Sequence, residues 1–193
     1  MDYLLNMLHD DITFEDISYA GQTVTGAEYN GCTFKRCDFS NSVFPNDKFI
    51  DCVFDGCNLS MMKLPKTTLS SVEFKNCKIL GVNFSECNDF LFTVDFRGCI
   101  LDYSSFMLKK MPKTCFSKSS LKEVTFTQAT LTGSVFDDCD LYGAVFNRTD
   151  ISSGNFSTAY NFDIDPEINI IKKASFSAQG LPGLLSKYQL KIV

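Results

Sequence analysis

Along most of this chain a large apolar residue falls on every fifth position. Between Phe34 and Phe84 the series runs Phe39, Phe44, Phe49, Phe54, Leu59, Leu64, Leu69, Phe74, Ile79. It resumes at Phe96 and continues through Leu101, Phe106, Met111, Phe116, Leu121, Phe126, Leu131, Phe136, Leu141, Phe146 and Ile151 to Phe156. Two positions before most of them stands a small or β-branched residue, among them Cys32, Cys37, Ser42, Cys52, Cys57, Val72, Val94, Ala129 and Ser134. Neither the helical period of about 3.6 nor the strand period of 2 produces this spacing. A coarser period lies above it. Phe14, Phe34, Phe54, Phe74, Phe96, Phe116, Phe136, Phe156 and Phe176 are 20 residues apart at every step but one, which is 22. A chain that returns to the same place every 20 residues is a solenoid, and five residues then make one side of a square coil. The large and the small residue point inward, because a narrow interior packed to crystal-like density needs a small neighbour beside each ring. One coil buries nothing by itself; stacking creates the core. The expected fold is all-β, with about nine coils at about 4.8 Å spacing and a rod of roughly 38 Å.

The stretches "CTFKRCDFSNSVF", "CVFDGCNLS" and "VFDDCDLYGAVFNRTDI" carry the pattern most clearly. They resemble the pentapeptide-repeat family, whose motif is A(D/N)LXX with the large residue at the centre. The resemblance covers residues 12–181 and implies a right-handed quadrilateral parallel β-helix. Residues 1–11 are then expected as an N-terminal cap, and residues 182–193 as a C-terminal capping and dimerisation segment with a short helix.

At 193 residues one domain is the default. Met1 to Leu8 has no positive n-region and no long apolar core, so a cytoplasmic location is expected. No apolar run is long enough for a membrane. Net charge is −5, which argues against direct nucleic-acid binding. Eight of the nine cysteines (Cys32, Cys37, Cys52, Cys57, Cys77, Cys87, Cys99 and Cys139) occupy the small inward site and read as small hydrophobes. Their C-x4-C spacing and the single histidine, His9, do not suit zinc. Cys115 lies one residue before Phe116, points outward, and is the thiol expected to react. There is no Gly-rich phosphate loop and no nucleophile elbow, and acids on a convex rod rarely converge in a pocket. Neither an enzyme nor a cofactor is expected.

Departures from the repeat mark candidate sites. The slip lies near residues 87–94, in "FSECNDFLFTVDF", where Phe90 or Phe92 fills or leaves the core. It reads as a β-bulge, or alternatively as a kink or partner contact. One wall is weak: its centres are Tyr29, Phe49, Leu69, Met111, Leu131 and Ile151, and its inward sites include Asp47, Thr67 and Lys109. Charge there is costly unless it is paired or turned outward. Pro45, Pro65 and Pro112 flank this wall, and Lys48, Lys66, Lys109 and Lys110 are expected as a lysine stripe along its edge. That stripe is either a set of solvated corners or a recognition surface. Residues 136–167 carry seven acids and one base; residues 168–193 carry four lysines and no acid.

After Phe156 the repeat loosens, although Phe176 still keeps its column. Leu181, Leu184, Leu185 and Tyr188 then follow helical spacing, and Leu190 and Ile192 alternate like a strand. A β-helix must cap its exposed end, and a two-fold dimer is a natural way to bury what apolar surface is left. This tail, "NFDIDPEINIIKKASFS" and then "LPGLLSKYQL", looks like the Qnr and topoisomerase-protection branch of the family. That resemblance implies a homodimer through Leu184, Leu185, Tyr188 and Leu190. It also implies binding to a type II topoisomerase, DNA gyrase or topoisomerase IV, with protection from quinolones or peptide toxins. Asp137, Asp138, Asp140 and Asp150 then stand as phosphate mimics for a basic saddle. The alternative is a non-catalytic interaction scaffold with an unrelated partner.

Overall fold

The computed structural model describes residues 7–191. The column of phenylalanines becomes one wall of parallel strands: Thr13–Glu15, Thr33–Lys35, Val53–Asp55, Val72–Lys75, Val94–Arg97, Cys115–Ser117, Val135–Asp137, Asn155–Phe156 and Ser175–Phe176. Register runs Phe to Phe, as in Phe34 with Phe54 and Phe96 with Phe116. The rings stack 4.5–5.3 Å apart from Phe14 to Phe176. Most rings also meet neighbours edge-on, as Phe116 does with Phe126 at 5.9 Å, an arrangement aromatic quadrupoles favour.

Following the chain round the square, the second wall is centred on Phe39, Leu59, Ile79, Leu101, Leu121 and Leu141. The third is centred on Phe44, Leu64, Phe84, Phe106, Phe126 and Phe146, and the fourth on Tyr29, Phe49, Leu69, Met111, Leu131 and Ile151. All of these residues are buried. The second and third walls are joined coil to coil by single bridges such as Asp38 to Asn58 and Ser105 to Thr125. The fourth wall has four strands, Met7–Asp10, Ala27–Asn30, Lys48–Ile50 and Thr68–Ser70. The ladder therefore already includes Met7–Asp10, with His9 stacked on Tyr29 at 4.9 Å. The solenoid starts before residue 12, and the rest of the expected N-terminal cap, residues 1–6, lies outside the described residues.

The corners turn through left-handed backbone. On leaving the phenylalanine wall the positive-φ residues are Asp16, Arg36, Gly56, Asn76, Gly98, Lys118 and Asp138. On leaving the second wall, Asn41 sits at φ 55° in a turn closed by the Ser42 N–H on the Phe39 carbonyl at 3.1 Å.

The small inward residue has a second role. Its side chain donates to the carbonyl of the preceding wall's central residue, one coil back. Cys52 donates to Tyr29 and Cys57 to Phe34, each at 3.3 Å; Ser104 donates to Ile79 at 2.7 Å; Thr149 donates to Phe126 at 2.8 Å. Cysteine, serine and threonine suit this site because they are small and carry one donor, and the bond gives a buried carbonyl its partner.

Candidate interaction surface

The slip loop is held from inside. Asn88 to Thr93 bulge where the fourth wall meets the phenylalanine wall. Phe92 enters the core, with its ring 6.5 Å from that of Phe84, while Phe90 leaves it and is 77% exposed. The next coil supplies the anchor. Lys109 occupies a small inward site and is only 1% exposed. Its ammonium donates to the Cys87 carbonyl at 2.5 Å and to the Asp89 carboxylate at 2.7 Å, and lies 5.1 Å over the Phe92 ring. Asn88 adds bonds to the Lys66 carbonyl at 2.8 Å and the Thr68 hydroxyl at 3.0 Å. The expected lysine stripe therefore loses a member: Lys109 turns inward because a buried carbonyl and a loop carboxylate receive it. Lys48 is tied to Glu28 at 2.9 Å, while Lys66 and Lys110 are exposed.

The acids around residue 140 do not share one side. Asp137 and Asp138 form the corner leaving the phenylalanine wall, and Asp140 begins the second wall beside them. Asp150 belongs to the fourth wall, on the opposite side of the square. Ser117 and Thr158 donate to Asp137 at 3.2 and 3.0 Å. Asp138 is exposed. Burial raises the Asp140 carboxyl, but donors on Asn161 and Tyr142 and the Lys122 ammonium at 3.3 Å outweigh it and hold it below the usual range. For Asp150, burial is likewise outweighed by bonds from Ser152 and Thr132. Lys118 and Lys122 line an open groove with Asp138, Asp140 and Tyr160, so cations are interleaved with these acids. Cys115 is the one thiol that is not fully buried, yet partial burial and the Asp95 carboxylate push it up, away from the reactive thiolate.

At the C-terminal end the expected helix is three short turns: Ala178–Gly180, Pro182–Leu185 and Ser186–Tyr188. Gln189 at φ 52° ends the last one, and Leu190 joins no strand; Ile192 lies outside the described residues. Leu184 and Leu185 are half-buried, with Leu184 packed on the core, while Tyr188 and Leu190 are exposed. Three acids not expected in this role clamp the tail. Lys187 reaches Asp165 and Glu167, both at 2.7 Å; Tyr188 donates to Glu167 at 2.6 Å; Ser186 bonds Asp163. Lys187 holds the Asp165 carboxyl below its usual range, and Lys187 with Tyr188 does the same for Glu167. The signal was present in the sequence as an acidic run followed by an acid-free basic tail. Among the described residues, no helix is long and apolar enough to cross a membrane.

Residues 27–106 match a pentapeptide repeat region, and residues 119–157 match pentapeptide repeats (8 copies). A trypsin-treated form of QnrB1, a plasmid-mediated fluoroquinolone resistance protein, superposes with a TM-score of 0.67 at 15% identity, over 96% of this chain and 99% of that one. HetL, a pentapeptide repeat protein involved in heterocyst differentiation regulation in the cyanobacterium Nostoc sp., superposes with a TM-score of 0.63 at 15% identity, over 91% of this chain and 88% of that one. No protein of curated function matches the sequence significantly.

Proposed function

Since the chain belongs to the pentapeptide-repeat family, we propose that it is a non-catalytic, dimeric protein that binds a type II topoisomerase, DNA gyrase or topoisomerase IV. In this reading it protects the enzyme from quinolones or peptide toxins. The observation that carries the proposal is the corner built by Asp137, Asp138 and Asp140 on a rod about as long as one turn of duplex. Three carboxylates fixed within one coil offer a basic saddle a compact negative patch of the kind a phosphate group offers. The likeness of fold to a fluoroquinolone resistance protein supports the same reading. Asp150, on the opposite side, is left out of this contact face. The dimer forms through the tail, where Leu181, Tyr188 and Leu190 present apolar surface beyond the last coil.

The test is binding of purified gyrase and topoisomerase IV to the immobilised protein, beside an Asp137→Lys, Asp138→Lys variant. The expected result is saturable binding weakened by about tenfold or more in the variant. Binding to neither enzyme sinks the reading. A second reading, a scaffold for another protein, is favoured by Lys118 and Lys122 among the acids. Tight topoisomerase binding untouched by the charge reversal would keep the partner but reject the mimicry.

A further inference from the structure

The inward column of the fourth wall runs Ala27, Asp47, Thr67, Cys87, Lys109, Ala129, Thr149 and Asn169, all buried. Asp47 is the one acid among them. Its Oδ1 accepts the Ala27 N–H at 2.6 Å, while its Oδ2 is buried without a partner. Among the described residues no cation answers it. Lys48, next in sequence, points outward to Glu28, Lys66 in the following coil is exposed, and Lys109 lies beyond Thr67 and Cys87 and is bound to the slip loop.

Asn169, in the same column, shows what the position requires. Its Oδ1 accepts the N–H of Thr149, 20 residues back, at 2.8 Å. Its Nδ2 donates to the carbonyl of Phe146, 23 residues back, at 3.0 Å. Thr67 and Thr149 donate to the equivalent carbonyls of Phe44 and Phe126. Asp47 reproduces the first half of the Asn169 arrangement with Ala27. The second half demands a donor facing the carbonyl of Val24, and a carboxylate has none.

We propose that Asp47 in its neutral carboxylic acid form donates its O–H to the Val24 carbonyl, so that the N-terminal coils lock when it is protonated and loosen when it ionises. Burial alone pushes this carboxyl up to about 6, against the bond from Ala27, which lowers it. The nearby titratable groups do not change the sign: Tyr29 is pushed far above its usual range, and Cys52 up to about 12, so both are neutral here. The folded value lies above the ordinary carboxyl value of about 4 in an unfolded chain. The contribution is therefore full below about pH 4 and is lost as pH rises through about 6.

Two measurements test this. Carbon-13 NMR titration of the Asp47 side-chain carboxyl in the wild-type protein is expected to show a midpoint near 6. Urea unfolding of wild type and Asp47→Asn from about pH 4 to pH 8 is expected to show a wild-type unfolding constant that rises roughly a hundredfold more than that of the variant. Asparagine supplies the missing donor at every pH, so the variant is also expected to be the more stable of the two near pH 8. A midpoint at or below about 4, or the same pH profile in both proteins, overturns the proposal. If the variant does not fold, the wild-type titration alone decides.

Discussion

The phenylalanine wall and the fourth wall pass the same slip and come out differently. On the phenylalanine wall the strands continue: Val72–Lys75 pairs with Val94–Arg97, Phe74 meets Phe96, and the rings stack at 5.1 Å. On the fourth wall the last strand is Thr68–Ser70, and beyond the loop only single bridges remain, such as Lys110 to Thr130. Its centres change as well, from Tyr29 stacked on Phe49 at 4.9 Å to Met111, Leu131 and Ile151. A ladder of identical rings re-forms after an insertion because each ring offers the next the same flat partner. A wall that changes its residues and hosts the bulge keeps burial but loses strand geometry. The break costs the fourth wall its strands, and a buried lysine ties the loop to its interior.

The largest expected effect comes from removing a ring of the continuous wall. Phe116→Ala leaves a hole between Phe96 and Phe136 and is expected to lower stability by about 3–5 kcal/mol in urea unfolding. Leu131→Ala on the fourth wall is expected to cost less, about 2–3 kcal/mol. Equal losses would show that strand continuity adds nothing to the ring ladder.

A smaller effect isolates the lysine tie. Lys109→Met keeps the stem's packing but strands the buried Cys87 carbonyl, for about 1–3 kcal/mol. Amide exchange is expected to accelerate in residues 88–93 and to stay unchanged on the phenylalanine wall. Unaltered loop exchange would mean that Asn88 and Phe92 suffice to hold the bulge.

The smallest effect concerns the end of the rod. Asp165 and Glu167 have lowered folded values, so their contribution is present above about pH 4 and is lost as pH falls through the folded values. Acid is therefore expected to loosen the C-terminal turns, read as faster exchange of the Ile164 amide, which donates to the Gly183 carbonyl at 2.8 Å. Lys187→Met is expected to remove that pH dependence. The Asp47 lock carries the opposite sign, so acid tightens one end of the molecule and releases the other.

The repeat made most of this fold readable in advance. A five-residue period assigns every large side chain to a wall, and even the ten residues between Asp140 and Asp150 place them on opposite sides. What the period does not encode is the direction of a charged side chain at an inward site. Lys109 and Asp47 fill the same kind of position, and only the groups facing them decide how each charge is met. Lys109 finds a carbonyl and a carboxylate; Asp47 finds one N–H. Nor does the pattern reveal the corner backbone, where Arg36 and Lys118 adopt the left-handed conformation that Gly56 takes at lower cost. The tail escaped for a different reason. Its leucines follow helical spacing, but Pro182, Gly183 and the bonds to Asp163, Asp165 and Glu167 break it into short turns.

The central claim, that this rod engages a type II topoisomerase, is tested most directly by a DNA gyrase supercoiling and cleavage assay with the purified protein, with and without a fluoroquinolone. The expected result is inhibited supercoiling, or relief of the drug's cleavage complex, in a manner that depends on Asp137 and Asp138. Unchanged supercoiling and unchanged cleavage with the protein in large molar excess over gyrase would contradict it.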